Sequence, residues 1–347
     1  MTVIGMLHYR ADPRKVFKSY VFAATAKSEG VGFFYFTPGK VNIQEKRIKG
    51  KVLKNGEWVD MDMPFPDVIY NAGSPMTEKA DEIHDHLSKH IPFTSHSIGD
   101  KISVYQRLKK GKKFAQYLIP TNVINNNAEF FEYTSRYSRV ILKPTSGHKG
   151  MGVLFVEKIR NRYLLIDQDR NLELDRKEID VFLSRQFSNQ EYLIQPYIEC
   201  KTKKGNAYDF RLHVQKNGRG EWVNSAVYVK IADSGSMITN LNSGGHTMYL
   251  DLFLKNQFGE YYFNVKRYLQ RFSIALARHM DQLYDESLDE LGIDVGLDSN
   301  QKIWIYEVNW RPGVAPAFNL EVDIPRNTIQ YAIFLAKKQK SDTKIKI

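Results

Sequence analysis

The chain has 347 residues, of which 42% are hydrophobic and 26% charged, and this composition excludes an intrinsically disordered protein. Its net charge of +11 suits an acidic or phosphorylated ligand. No zinc-finger or RNA-binding signature accompanies the basic residues, so acidic small molecules or peptides are favoured over nucleic acid. A single cysteine, Cys200, excludes an internal disulfide framework and favours the reducing cytosol. We expect a cytoplasmic protein, because the first apolar run is too short for a signal peptide and no stretch approaches the about 20 apolar residues of a membrane span.

Residues 1–98 are predicted to form a small α/β unit. Short apolar strands alternate there with amphipathic helices, an order typical of a partly parallel sheet. A polar hairpin is predicted at Asn55-Gly56, because this dipeptide favours a two-residue turn between antiparallel strands. The other strands are predicted at "VIGMLHY", "VGFFYFTP" and "PDVIYNAG", and the helices at "DPRKVFKSYVFAATAKSEG" and "MTEKADEIHDHLSKH".

Two further α/β regions are predicted, at residues 99–192 and 193–347. The first contains a helix that breaks at Gly111, a second helix, three strands and a third helix. The last region opens with three strands, followed by a long helix over residues 262–287, a hairpin and a final helix. The long helix is predicted from one apolar stripe, formed by Val265, Leu269, Phe272, Leu276, Met280 and Leu283.

The hairpin "GIDVGLDSNQKIWIYEVNWRPG" carries polar groups on largely apolar strands. With Ser299-Asn300 as its loop, Asp294 lies across from Ile305, and Glu307 and Asn309 share its face because side chains alternate along a strand. A loop one residue longer or shorter would move Asp294 to the opposite face. Three oxygen donors on one face suit Mg²⁺, whose other positions phosphates and water fill. The alternative is a polar face without an ion.

A glycine-rich segment, "TSGHKGMG", lies between two apolar strands. Glycine lets the backbone approach a ligand closely, and the backbone N–H groups of such a loop can bind phosphate. Lys143, at the end of the incoming strand, is placed to meet a phosphate. The segment is neither a Walker A sequence nor a Rossmann turn, since no helix follows it. The alternative is an ordinary glycine-rich hairpin.

Together these motifs resemble the ATP-grasp superfamily. The D-x12-E-x-N spacing is similar to its metal-ligand pattern, "LKPTSGHKGMGV" to its phosphate-covering loop, and "YLIQPYIE" to the hinge strand that holds adenine. "YDFRLHV" and "NLNSGG" look like segments of the ribosomal-modification type of ligase. At family level the chain resembles the YheC/YheD type, described as endospore coat-associated. The resemblance spans about residues 100 to 313 and implies an ATP-grasp fold of α/β and α+β lobes behind an N-terminal pre-ATP-grasp α/β domain.

The resemblance implies an ATP- and Mg²⁺-dependent carboxylate–amine ligase. The γ-phosphate of ATP would pass to a carboxylate, and an amine would attack the resulting acyl phosphate. Two Mg²⁺ ions are expected, with Mn²⁺ as a substitute. The expected substrates are an amino acid or amine and a peptide, protein or acidic small molecule, and the family description implies association with other spore-coat proteins.

The resemblance also implies roles for individual residues. The metal ligands are Asp294, Glu307 and Asn309, and the cations that neutralise the acyl phosphate are Arg211, Lys230 and Arg311. The nucleotide contacts are Lys101 and Lys143 at the phosphates, Ser146, Gly147, His148, Lys149, Gly150, Met151 and Gly152 in the covering loop, Gln195, Pro196, Tyr197 and Ile198 at adenine, and Asp209, which contacts ribose or orients Arg211.

Two other classes of function fit the same motifs. A phosphotransferase would pass phosphate to a hydroxyl group and stop there. A non-catalytic nucleotide-binding or coat protein needs no divalent site, so the metal-ligand set and Lys143 argue against it. The chain departs from many relatives at Pro196, where they have an acidic residue. It also departs at Lys230 and Ser243, where ribosomal-modification ligases tend to have arginine, and lysine cannot bind phosphate through two parallel hydrogen bonds.

Overall fold

The computed structural model describes residues 1–145, 152–167, 170–233, 239, 245–313 and 320–345. Three β-sheets with helices against their faces make up this part of the chain. None of its helices combines the length and the apolar character needed to cross a membrane.

The first sheet follows the predicted α/β alternation. Its central strand pairs in parallel with a strand on each side, so the carboxyl ends of three strands lie at one edge. Helix α1 and the C-terminal helix of the chain pack on one face, and α2 packs on the other. The Asn55-Gly56 hairpin is confirmed, with positive φ at both residues. The elements are β1 (Val3–Leu7), α1 (Phe17–Ser28), β2 (Gly32–Phe36), β3 (Val41–Asn42), β4 (Arg47–Lys54), β5 (Glu57–Pro64), β6 (Val68–Asn71) and α2 (Glu78–His90).

The second sheet has the strand order β11-β10-β9-β8-β12-β7. Val140 and Leu142 of β8 pack against two helices, so Lys143 between Leu142 and Pro144 projects from the opposite face. The region boundary expected at residue 193 falls inside β12, which pairs with β8. The elements are α3 (Lys101–Lys110), β7 (Asn122–Ile124), α4 (Asn127–Arg136), β8 (Arg139–Pro144), β9 (Leu154–Ile159), β10 (Arg162–Asp167), β11 (Arg170–Leu174), α5 (Arg176–Phe187) and β12 (Tyr192–Pro196).

The third sheet has the order β15-β14-β13-β16-β17. The predicted apolar stripe of the long helix packs against one face of this sheet, and that helix ends at Leu283 rather than near residue 287. Strand β15 (His246–Tyr249) and helix α6 (Leu250–Phe258) were not predicted, because their apolar runs are too short to give a clear periodic pattern. The elements are β13 (Tyr208–Lys216), β14 (Trp222–Ile231), β15 (His246–Tyr249), α6 (Leu250–Phe258), α7 (Tyr262–Leu283), β16 (Glu290–Leu297), β17 (Ile303–Trp310) and α8 (Leu320–Ile345).

Helix α8 connects the first sheet to the third. Ile324 packs against Tyr228 of β14, whereas Ile329 is fully buried in the core of the first sheet. Between them, Gln215 Nε2 donates a hydrogen bond of 3.0 Å to Thr328 Oγ1. The N-terminal unit therefore has a fixed position against the sheet that carries the predicted metal ligands.

The predicted register of the β16–β17 hairpin was wrong, although Asp294 and Glu307 do share a face. The loop is one residue longer than predicted, because Asp298 Oδ1 accepts hydrogen bonds from Asn300 N and Lys302 N, each of 2.9 Å. By itself this loop would turn Asp294 to the other face. A β-bulge at Tyr306 restores the alignment, so that Asp294 lies opposite Glu307 and not Ile305.

Candidate nucleotide and metal site

A row of four side chains crosses the third sheet. Tyr228, Arg211, Asp294 and Glu307 lie opposite one another on β14, β13, β16 and β17. Directly opposite residues in antiparallel strands project from the same face. Because alternate residues share a face, Asp209 of β13 and Asn309 of β17 flank this row. Strand pairing therefore brings together residues that are far apart in sequence.

The central carboxylate of the row is held by two cations. Arg211 Nε lies 2.6 Å from Asp294 Oδ1 and Arg211 Nη2 lies 2.9 Å from Oδ2, while Lys230 Nζ is 3.2 Å from Oδ1. Burial disfavours the charged carboxylate, but Lys230 and Arg211 outweigh burial and hold the pKa of Asp294 below its ordinary value. Asp294 is therefore an anion at neutral pH.

Asp209 lies in the next row, opposite Lys230. Lys230 Nζ is 2.9 Å from Asp209 Oδ1, and the hydroxyl of Thr239 donates to the other carboxylate oxygen. Burial raises the pKa of Asp209 even though Lys230 opposes the shift. Of the two roles expected for Asp209, its contacts favour positioning a cation, with Lys230 rather than Arg211 as the partner.

Asp294, Glu307 and Asn309 form a donor set that fits a hard cation. The side chains are two carboxylates and one amide on a single face, and Glu307 is only loosely paired, with its Oε1 3.7 Å from Lys101 Nζ. Within the described residues, no group of three or more His, Cys, Asp or Glu side chains is placed to hold a metal ion. The remaining ligands would therefore be phosphate oxygens and water, as is usual for Mg²⁺.

Lys143 faces this row from the second sheet. Its Nζ donates a 3.0 Å hydrogen bond to Gln195 Oε1 on the neighbouring strand β12, and Gln195 Nε2 donates in turn to Thr121 Oγ1 at 2.8 Å. Burial lowers the pKa of Lys143 to about 8, although nearby Glu307 favours the charged form. Lys143 and Lys101 thus bring two ammonium groups to Glu307 from different elements.

The predicted adenine hinge continues β12. Tyr197 N donates a 2.9 Å hydrogen bond to Arg139 O, and Pro196 has no N–H. A ligand amino group at these two residues would therefore meet carbonyl oxygens rather than N–H donors. Cys200, just beyond the hinge, is buried, and burial raises its pKa to about 11, so it is a neutral thiol at physiological pH.

Most of the predicted phosphate-covering loop, Ser146 to Met151, lies outside the described residues, as do residues 240–244 of "NLNSGG". Gly152 is described, and its conformation requires glycine. Its φ is +71°, and an added Cβ would lie 2.9 Å from Pro144 Cγ. The backbone therefore turns back tightly against the strand that carries Lys143.

A cavity of about 450 Å³ opens beside Lys143 and Glu307. Helices α3 and α4 and strands β7, β12 and β17 contribute its walls. Tyr306, the bulge residue, lines the cavity, and its Oη lies 3.2 Å from Cys200 Sγ. Sequence reasoning missed Tyr306 and Thr121, because neither stands in a motif and only the sheet pairing places them beside Gln195 and Lys143.

Arg311 differs from the other predicted cations in its contacts. Its guanidinium lies 3.5 Å over the ring of Trp310, and Nη2 donates a 2.7 Å hydrogen bond to Ser74 Oγ in the N-terminal unit. The Asp294 network instead contains Arg211 and Lys230. The three cations predicted to act together therefore divide into two groups.

Known proteins with similar sequences cover most of the chain. In an alignment of 329 residues it is 26% identical to the endospore coat-associated protein YheD of Bacillus subtilis (strain 168), and the match covers 88% of this chain and 71% of YheD. It is 24% identical over 312 residues to YheC of the same organism, covering 84% of this chain and 83% of YheC.

Solved structures of low sequence identity share the fold. A RiPP-associated ATP-grasp ligase from Chryseobacterium gregarium, solved with ADP and a leader and core peptide, superposes with a TM-score of 0.53 at 13% identity over 97% of each chain. The ATP-grasp ligase PsnB, solved with a phosphomimetic variant of its minimal precursor, Mg and ADP, gives a TM-score of 0.54 at 11% identity over 96% of this chain and 99% of PsnB. These identities show the fold alone.

A family assignment rests on the sequence match, which covers more than half of the chain. The protein-family model described as YheC/D like ATP-grasp matches residues 90–335 of this chain. The predicted ATP-grasp fold with mixed helices and sheets is confirmed by the structural similarity. The chain belongs to the YheC/D-like ATP-grasp family.

Proposed function

We propose that this protein is an ATP-dependent ligase that activates a carboxylate as an acyl phosphate and joins it to an amine. The observation that carries the proposal is the charged row on the third sheet facing Lys143 and Lys101. Ammonium and guanidinium groups lie beside carboxylate oxygens there, and such groups could bind a phosphate chain and a divalent ion. This combination serves charge neutralisation during phosphoryl transfer.

The nucleotide would lie between the second and third sheets. Lys143 and Lys101 would bind its phosphates, and the carbonyl oxygens of the hinge after Gln195 would accept hydrogen bonds from adenine. Asp294, Glu307 and Asn309 would hold Mg²⁺. The bound ion would neutralise the phosphate oxygens as charge develops on them. PsnB was solved with Mg and ADP, which supports this pair of ligands.

Two steps complete the reaction. A carboxylate oxygen forms a bond to the γ-phosphorus while the bond to the β–γ bridging oxygen breaks, and ADP leaves. The amine nitrogen then forms a bond to the carbonyl carbon, phosphate leaves, and the nitrogen loses a proton. Arg211 and Lys230, fixed by Asp294 and Asp209, would hold the negative charge of the transferring group near the attacking carboxylate.

A peptide or protein is the best-supported class of substrate. The Chryseobacterium ligase was solved with a leader and core peptide. The net charge of +11 favours an acidic partner. The relatives YheD and YheC are described as endospore coat-associated. We therefore propose that this protein works in the cytoplasm on a substrate destined for the spore coat.

Measuring ADP release tests the proposal. Purified protein with MgATP is assayed with carboxylate substrates, in the presence and absence of amino acids and amines. The masses of the products are measured by mass spectrometry. We expect ADP and phosphate to appear only when both substrates are present, with a product smaller than their sum by one water. A stable phosphorylated product would instead identify a phosphotransferase. Tight ATP binding without turnover under any condition would identify a non-catalytic protein.

A further inference from the structure

Arg311 carries donors that its surroundings leave unused. It follows β17 with a φ of +54°, a backbone conformation that non-glycine residues rarely adopt. Its Nε and Nη1 are buried and have no hydrogen-bond partner among the described residues. Buried charged donors without partners are costly, and a ligand that accepts hydrogen bonds from them would remove this cost.

Other cations converge on the same place. Lys18 of α1 points its Nζ at Pro312 O, 3.3 Å away, and no carboxylate lies in ion-pair distance of Lys18 or Arg311 within the described ranges. Burial, and then the charges of Arg10, Arg311 and Lys18, lower the pKa of His8 to about 4. His8 is thus neutral at physiological pH. Lys18 and Arg311 favour the charged form of the buried Glu290, but Glu290 lies beyond ion-pair distance of both and is paired with His213 at 2.7 Å instead. Neither cation therefore has a direct ion-pair partner among the described residues.

This cluster lies at the carboxyl edge of the first sheet. His8 follows β1 and Ser74 lies shortly after β6, two adjacent parallel strands. Ligands of open α/β sheets bind in the crevice at this edge. The edge is also next to the proposed reaction centre, because a Cβ added to Gly292 would lie 2.5 Å from Pro312 Cβ and 3.3 Å from Arg211 Nη1.

We propose that Arg311, Lys18 and Ser74 bind a second, non-reacting carboxylate of the substrate whose first carboxylate is activated beside Arg211. The substrate class is then a compound with at least two carboxylates, such as a glutamate-containing peptide. A guanidinium fork, an ammonium group and a hydroxyl are the donors that such a group requires. This inference rests on the proposed ligase function for the identity of the first carboxylate.

Calorimetric titration of the full chain with the tripeptides Glu-Glu-Glu and Gln-Gln-Gln tests the site without nucleotide. We expect the native protein to bind Glu-Glu-Glu at least about tenfold more tightly than Gln-Gln-Gln. Lys18→Gln and Arg311→Gln should each weaken Glu-Glu-Glu binding by roughly tenfold or more, and Arg311→Lys by less. Lys27→Gln is the matched control, because Lys27 is exposed on the same helix, and it should bind like the native chain.

Three outcomes would contradict the proposed carboxylate site. They are equal affinity for Glu-Glu-Glu and Gln-Gln-Gln, native affinity for Glu-Glu-Glu in both Lys18→Gln and Arg311→Gln, or tighter binding of a phosphoserine tripeptide than of Glu-Glu-Glu. Circular dichroism shows whether Arg311→Gln folds, and Lys18→Gln tests the site from a half-buried position if it does not. Peptide binding as expected without ADP release under any condition would reject the ligase and keep the site. Amine-dependent ADP release, together with native-like peptide binding by Lys18→Gln and Arg311→Gln, would support the ligase and reject the second carboxylate site.

Discussion

Lys143 has a charge that depends on pH in the range where enzymes are assayed. Burial lowers its pKa to about 8, so the ammonium form predominates below pH 8 and is lost above it. ATP binding favours the charged form. Nucleotide affinity should therefore fall by roughly tenfold between pH 7 and pH 9.

The measurement is an ATP titration at a series of pH values. Lys143→Met should bind ATP more weakly and lose this pH step. Any pH dependence that this variant keeps measures the titration of the nucleotide itself. Lys143→Arg should stay nearly flat to pH 9.5, because a guanidinium keeps its proton. A step of the same size in Lys143→Met would assign it to another group.

Glu307 is the second residue that a single substitution tests. Glu307→Gln keeps the shape of the side chain and removes the charge that Mg²⁺ requires, so Mg-dependent ATP turnover should fall roughly a hundredfold or more. The fold should change little, because the Lys101–Glu307 pair is long and partly exposed and such pairs contribute at most about 1 kcal/mol. Initial rates of ADP release and the melting temperature check both statements.

Glu260→Gln is the control for this substitution, because Glu260 is exposed and lies outside the cleft. Near-native turnover by Glu307→Gln would show that Glu307 is not a metal ligand.

The hairpin of β16 and β17 shows how an element positions the site. A loop fixed by Asp298 and a bulge at Tyr306 act in opposite senses, and together they keep Asp294 opposite Glu307. The bulge is possible because Gly296 leaves room for Tyr306: an added Cβ would lie 2.1 Å from Tyr306 Oη and 2.7 Å from Cys200 Sγ. A small residue on one strand thus leaves space for the side chain of the bulge residue on the other strand.

Gly296→Ala should therefore destabilise the protein by about 1–3 kcal/mol, the usual cost of overpacking. It should also weaken ATP binding, because Tyr306 lines the cavity beside Lys143. Adding Tyr306→Leu should restore part of the stability. Urea unfolding and ATP titration measure the two effects. Gly39→Ala is the control, since nothing lies within 4 Å of its added Cβ. Equal stability of the two alanine variants would contradict the packing argument.

At the scale of the whole molecule, α8 holds the N-terminal unit against the third sheet. Ile329 is fully buried among residues of the first sheet, although it lies near the other end of the chain. Ile329→Ala should lower the free energy of unfolding by roughly 2–5 kcal/mol, through lost burial and the cavity left behind. Ile159→Ala, at a half-exposed position of β9, should cost much less. Similar urea midpoints for the two variants would contradict this role of α8.

The amino-acid sequence by itself determined the elements whose signals are local. The Asn55-Gly56 hairpin and the buried stripe of α7 follow from turn chemistry and from the helical period. The motif residues Asp294, Glu307 and Lys143 were also visible, because chemistry fixes their type and local structure fixes their spacing.

Tertiary structure alone decided which residues these groups face. The bulge at Tyr306, the pairing of Asp294 with both Arg211 and Lys230, and the approach of Lys18 and Ser74 to Arg311 all depend on the pairing of distant strands and on the packing of α8. Such contacts join segments separated by tens to hundreds of residues. They minimise the free energy of the whole chain rather than that of a local window, so no short pattern records them.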